Sequence, residues 1–142
     1  MKLVTVGSVA FDAIETPFGK TDKIVGGAGT FISLASSFFA KEQGLISVVG
    51  EDFPNETLSY LTSRGVNIEG VQIKKGEKTF FWSGKYHNDM NSRDTLVTEL
   101  NVLGTFDPIV PEVCQNADYL MLGNLSPQVQ LSVINRMTNR PK

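Results

Sequence analysis

The chain has 142 residues, 41% hydrophobic and 20% charged, with a formal charge of −2 at pH 7 and an isoelectric point near 5.4. That length carries one domain with a real hydrophobic core, and its slightly acidic balance offers no broad positive field to a phosphate backbone, which argues against a nucleic-acid partner. No run of ~18 apolar residues occurs, which excludes a membrane-spanning helix, and the single cysteine, Cys114, excludes an intrachain disulfide and a cysteine-based zinc site.

In chain order, Leu3 to Val6 reads as a short buried strand ended by Gly7-Ser8. The apolar start is too soon interrupted by Gly7, Ser8, Asp12 and Glu15 to be a secretory signal. A loop with Pro17, Gly19 and Asp22 leads to Gly26-Gly27-Ala28-Gly29, and Phe31, Leu34, Ala35, Phe38 and Phe39 then recur at helical spacing up to a stop at Gly44. Leu45 to Val49 is a second buried strand. Asn55 caps a helix through Leu58 and Leu61 that closes at Gly65. Thr79 to Tyr86 is aromatic and β-rich, and with Val71 to Ile73 it predicts a hairpin or small sheet around Lys74-Lys75-Gly76-Glu77. Asn88 to Asp94 reads as a polar turn, Pro111 to Asn116 as a short helix and Tyr119 to Leu122 as a strand. Ser126-Pro127 starts a last helix whose apolar face is Val129, Val133, Ile134 and Met137.

The alternation of strand and helix indicates an α/β fold with a mostly parallel sheet, and the β-rich insert at about 71–86 is expected to stand apart as a flap. The chain ends at Arg140-Pro141-Lys142, after a helix, where a doubly wound fold sends in its next strand; the pattern reads as interrupted.

Two places can carry chemistry. Gly7-Ser8-Val9-Ala10-Phe11-Asp12 puts a carboxylate just past a strand's C-terminal end, where it either accepts hydrogen bonds from ligand hydroxyls or caps a surface turn. Gly26-Gly27-Ala28-Gly29-Thr30 opens a helix, where glycines let backbone approach an oxygen-rich ligand or merely serve packing. It fits neither the G-x-G-x-x-G nor the G-x-x-x-x-G-K-[ST] pattern. His87, the only histidine, reads as a surface residue and Cys114 as core. The acidic pairs Glu51-Asp52 and Asp89 with Asp94 read as solvated loop carboxylates, and Phe80, Phe81 and Trp82 as ligand pocket, partner surface or core.

Taken in order, these pieces resemble the PfkB, or ribokinase-like, family of carbohydrate and nucleoside kinases. Gly7 to Asp12 resembles the family's first strand and its substrate-binding aspartate, and Gly26-Gly27 its di-glycine signature. Val49-Gly50-Glu51-Asp52-Phe53, with Leu58, Leu61 and Gly65-Val66-Asn67-Ile68, is similar to its "VGDD…L…L…GV" stretch, and Leu122 to Pro127 to the strand end and helix start after the lid. The resemblance implies a central, mostly parallel sheet flanked by helices with a small β-lid at about 71–86, transfer of the γ-phosphoryl group of ATP, with Mg²⁺, to a hydroxymethyl group, and a sugar or nucleoside as substrate. It implies that Asp12 holds substrate hydroxyls, Gly26 and Gly27 let backbone approach, Asn124 borders the crevice, and Phe81 or Ser83 touches substrate from the lid. Phe31 stands where the family usually has asparagine, which suggests a less hydroxylated substrate or a stacked base.

The family's "DTxGAGD" motif, with its catalytic aspartate and anion hole, belongs to a C-terminal half that these residues do not contain, and the ATP-binding loops belong there too. Residues 1–142 are therefore expected to be a partial ribokinase-like domain, inactive alone, that binds neither ATP nor Mg²⁺ and acts in the cytoplasm, where a lone cysteine stays reduced. The alternative is a naturally short, non-catalytic module that binds a small polyol or forms a homodimer through its β-lid. A nicotinamide-dependent domain is disfavoured, because Gly7-Ser8-Val9-Ala10 lacks the dinucleotide glycine pattern.

Overall fold

The computed structural model describes all of residues 1–142. Strands Leu3–Val6 (β1), Ala10–Thr16 (β2), Gly19–Lys20 (β3) and Ile24–Gly26 (β4) precede helix Ala28–Ser36 (α1). Gln43–Gly50 (β5), helix Asn55–Ser63 (α2), Val66–Lys74 (β6), Phe81–Tyr86 (β7) and Arg93–Glu99 (β8) follow. Two 3₁₀ turns, Asn101–Thr105 and Glu112–Cys114, lead to Tyr119–Leu122 (β9) and helix Pro127–Arg136 (α3).

The first sheet is all-parallel in the order β6-β5-β1-β9, the α/β arrangement that the alternation implied. Every residue of β5 is buried, because a central parallel strand is covered on both faces and so reads as a nearly continuous apolar run. Leu45 and Val49 point to one cluster with Phe53, Leu58 and Leu61 from the α2 side. Ile46 and Val48 point to the other, with Val102, Phe106, Leu125 and Val133 from the 3₁₀ turns and α3. Burying one such side chain contributes about 1.5–3 kcal/mol, and the two clusters pack α2 and α3 onto opposite faces of the sheet. The outer edge of β9 is engaged by Lys142 alone: its N–H donates to the Asp118 carbonyl and its carbonyl accepts from the Leu120 N–H, each at 2.9 Å, the pairing of a parallel strand.

The second sheet has the order β3-β2-β7-β8, with β4 also paired to β2. β2 and β7 run parallel and the other pairs antiparallel. Its strands differ from the expected hairpin. Val71 to Lys74 do not pair with Thr79 to Tyr86; they end β6, the edge strand of the first sheet, in register with Ser47 to Gly50. A register shift between Asn67 and Gly70, opposite Leu45, breaks the period-2 pattern of β6 and hides a nine-residue strand from a local reading. The partners of β7 are instead β2, where no strand was expected from sequence, and β8, of which only Arg93 and Asp94 fell within the expected polar turn.

Helix α1 also departs from expectation. It ends at Ser36, and its buried residues are Gly29, Thr30 and Ser33 rather than the phenylalanines. Phe38 and Phe39 lie past it and are exposed. Small residues face the sheet because the helix sits very close to the end of β1; a Cβ at Gly29 would lie 2.8 Å from the Gly7 carbonyl oxygen.

Candidate functional site

β1 has β5 on one side and β9 on the other, so the chain leaves β1 in one direction and later returns on its opposite flank. Open parallel sheets bind ligands at such a switch point, beyond the carboxyl ends of the strands. Here those ends are Gly7-Ser8 after β1 and Gly123-Asn124 after β9, joined by a 2.6 Å hydrogen bond from the Gly123 N–H to the Val6 carbonyl.

Ser8 organises this corner, although it carried no signal in the sequence beyond following a strand. Its N–H and its hydroxyl both donate to Asn124 Oδ1, at 3.2 and 3.0 Å. An amide atom that accepts from a backbone N–H must be the oxygen, so the free Nδ2 donors of Asn124 are left for a ligand. On its other side Ser8 receives the start of α1: the Ala28 N–H donates to Ser8 Oγ at 3.2 Å and the Gly29 N–H to the Ser8 carbonyl at 2.8 Å. The Ala28 and Gly29 N–H groups are thus engaged by protein, and their work at the site is to fix the position of α1. Gly26 leaves room for Asp12, since a Cβ there would fall 2.0 Å from Asp12 Oδ2, and burial pushes the Asp12 carboxyl above its ordinary 3.8.

A cavity of about 360 Å³ opens over this corner, lined by Ser8 and Asn124 at the strand ends of the first sheet, by Gly27, Ala28 and Phe31 at the start of α1, and by Ala10, Asp12, Phe80 and Trp82 from the second sheet and its approach. Asp12, Gly27, Asn124 and Phe31 are thereby brought together, with Gly26 immediately behind Asp12. The expected lid contacts move by one residue. Parallel pairing places Phe11 beside Phe81, Asp12 beside Trp82 and Ala13 beside Ser83, and successive side chains of a strand point to opposite faces. Trp82 therefore shares the face of Asp12, while Phe81 packs with Phe11 against the core and Ser83 lies on that same far side. Phe81 and Ser83 do not line the cavity; Phe80 and Trp82 do. A larger hollow of about 650 Å³, lined among others by Leu120, Ile134, Met137 and Lys142, follows the edge of β9 and shares no lining residue with this cavity. His87, in the exposed β7–β8 connection, bonds Asp94 of β8 and does not line the cavity, and Cys114 is buried in the core. No three His, Cys, Asp or Glu side chains converge, so these residues do not fit a protein-held Mg²⁺.

No protein-family model matches the sequence. A cytidine kinase of Thermococcus kodakarensis is 32% identical over 141 residues, 99% of this chain. The nucleoside kinase of Methanocaldococcus jannaschii, described as an archaeal member of the ribokinase family, superposes on 99% of the chain with a TM-score of 0.72 at 20% identity. Over nearly its whole length the chain is similar to part of a cytidine kinase and shares the ribokinase-like fold. It spans about half of its relatives: 49% of the Thermococcus protein and 50% of the Methanocaldococcus one. A second ribokinase-like structure, the ribokinase of Cryptococcus neoformans in complex with ADP, is 19% identical with a TM-score of 0.71 over 96% of this chain and 46% of its own. The two-sheet architecture of this ribokinase-like half is the fold that those structures share. No helix in it is long and apolar enough to cross a membrane.

Proposed function

We propose that residues 1–142 are the substrate-holding, N-terminal half of an ATP-dependent kinase that phosphorylates a hydroxymethyl group of a sugar or nucleoside. The observation that carries this reading is the pairing of the Asp12 carboxylate with the free amide donors of Asn124 in one cavity at the switch point of the sheet. An acceptor and a donor set so can grip adjacent hydroxyls and aim a third at a phosphoryl group, which is most of what phosphoryl transfer asks of a protein. In the reaction the hydroxymethyl oxygen attacks the γ-phosphorus, the bond to the ADP oxygen breaks, and the hydroxyl proton passes to a base. Asp12 is the only ionisable side chain lining the cavity, and it is placed to hold hydroxyls, so the base and the nucleotide site are assigned to the half outside residues 1–142. Mg²⁺, where used, shields phosphate charge, and no residue here is assigned to it. The second sheet is assigned the part of a lid over the substrate, which keeps water from the transferring group. A reducing, cytoplasmic setting fits the single, buried Cys114.

Residues 1–142 are expected to bind a sugar or nucleoside saturably by calorimetry, to lose that binding on Asp12→Asn, and to release no ADP from MgATP. Clear turnover by this chain, or binding indifferent to Asp12→Asn, would overturn the reading.

One observation favours a second role for the lid. All seven residues of β8 are exposed at the sheet's outer edge, with Leu96 and Val97 among them, and such an edge invites pairing with a second copy. A homodimer through β8 is expected by size-exclusion with light scattering, and a strict monomer at high concentration counts against it.

A further inference from the structure

Building on that kinase reading of the cavity, we infer that it takes a nucleoside rather than a free sugar, with the base lying against Phe31 and Trp82. The lining is divided. Its free polar side chains, Asp12 and Asn124, gather at the glycine-turn floor, and the Ser8 hydroxyl there is already engaged by Asn124 and Ala28. One acceptor and one donor group match the hydroxyls of a single furanose. The remaining side chains facing the cavity are apolar, and three are aromatic rings, so hydroxyls directed that way would give up water and find no partner.

Phe31 gives the division its direction. It projects from the first turns of α1 and is 58% exposed, an unpartnered ring at the cavity mouth in a helix whose other contact residues are small. Trp82 is held ready: its Nε1–H donates to Thr95 Oγ1 at 3.2 Å, the Arg93 guanidinium stands 5.8 Å from its ring centre, and the ring lies across Gly84, where a Cβ would come within 2.1 Å of it. A ring fixed before the ligand arrives loses little rotamer freedom on stacking. The C–H face of a pentose can pack on one ring; only a ligand with a flat apolar group beyond its sugar uses the second. Aromatic stacking accepts any base, so the rings select the class and not the base.

Trp82 is the only tryptophan, so its fluorescence reports ligand at this wall. The test titrates residues 1–142 with cytidine, adenosine and D-ribose, by fluorescence and by calorimetry in parallel. Both nucleosides are expected to bind on the order of tenfold more tightly than ribose and to quench Trp82. Phe31→Asn is expected to weaken the nucleosides on the order of tenfold and leave ribose unchanged or tighter, and Phe31→Tyr to retain nucleoside binding. Phe31→Leu keeps the bulk without the π-face and serves as the second variant, with circular dichroism confirming the fold of each. Ribose binding as tightly as the nucleosides, or an unchanged preference in Phe31→Asn and Phe31→Leu, overturns the inference and leaves the kinase reading standing. No binding of any of the three at millimolar concentration sinks both.

Discussion

Gly27→Ala is expected to cost this chain about 3 kcal/mol and to abolish ligand binding in the cavity. Gly27 precedes α1 with φ 94° and ψ 141°, backbone angles that side-chain-bearing residues rarely adopt. A Cβ there would also stand 2.3 Å from the Ser8 carbonyl oxygen, 2.8 Å from its carbon and 3.0 Å from the Ala10 nitrogen. These are backbone atoms, so no side chain can swing aside. Relief requires α1 to move off the end of β1, which breaks the Ser8 bonds to Ala28 and Gly29 and separates Phe31 from Asp12 and Asn124. Gly19→Ala is the control, because a Cβ there meets nothing within 4 Å and its backbone is ordinary; it is expected to fall within about 0.5 kcal/mol of the parent. Urea unfolding measures both. A loss under about 1 kcal/mol at Gly27 would mean that the helix start is not seated as described.

The second large effect is expected at Asp52, which joins the two sheets. After β6 the chain crosses to the second sheet through Glu77 to Thr79, and Thr79 is buried. Asp52 Oδ1 accepts from the Thr79 N–H at 2.8 Å and from its hydroxyl at 2.7 Å, while Thr79 Oγ1 accepts from the Gly50 N–H at 2.9 Å. Asp52 Oδ2 bonds Lys23 Nζ at 3.2 Å, and that ammonium lies 4.1 Å from the centre of the Phe11 ring. Asp52→Ala strips a buried N–H and hydroxyl of their acceptor and leaves Lys23 unpaired, at an expected cost of about 2–3 kcal/mol. Asp52→Asn keeps an oxygen for Thr79 and loses only the charge; a partly exposed ion pair is worth little, and about 1 kcal/mol is expected.

The pH dependence separates these contributions. Burial alone would raise the Asp52 carboxyl, but the Thr79 hydrogen bonds and the Lys23 ammonium outweigh it and hold the group below its ordinary 3.8. A carboxyl depressed by folding stabilises the native state above its unfolded value, and that stability is lost as the pH falls through the lower folded value. The gap between the parent and Asp52→Asn is therefore expected to be constant near neutrality and to close as the pH drops below about 4. A gap that stays open in acid would show that the charge on Asp52 contributes nothing.

The site was half legible in the sequence, and the division follows a physical line. Asp12, Gly27 and Asn124 could be found because a strand end, a glycine turn before a helix and a strand-to-helix junction are local patterns. Ser8 could not, and the sequence left Phe80 and Trp82 undecided, with Phe81, among pocket, partner surface and core. Ser8 matters through a hydrogen bond to a residue 116 positions away. Phe80 and Trp82 replace Phe81 and Ser83 because of the register between β2 and β7, and a register shifted by one residue exchanges the faces.

By itself the sequence determined the alternation of elements, a buried strand at Leu45 to Val49, the turn glycines and the ribokinase-like resemblance that ran through them in order. Each of these is set within a few residues, by apolar periodicity or by what a backbone turn permits. The tertiary structure alone decided that Val66–Lys74 joins the first sheet, that Ala10–Thr16 is a strand, and that α1 turns small residues inward and Phe31 toward the cavity. A strand needs a partner before its hydrogen bonds exist, and a helix buries whichever face its neighbour can approach most closely. Both are properties of pairs of segments distant along the chain, and no local window contains them.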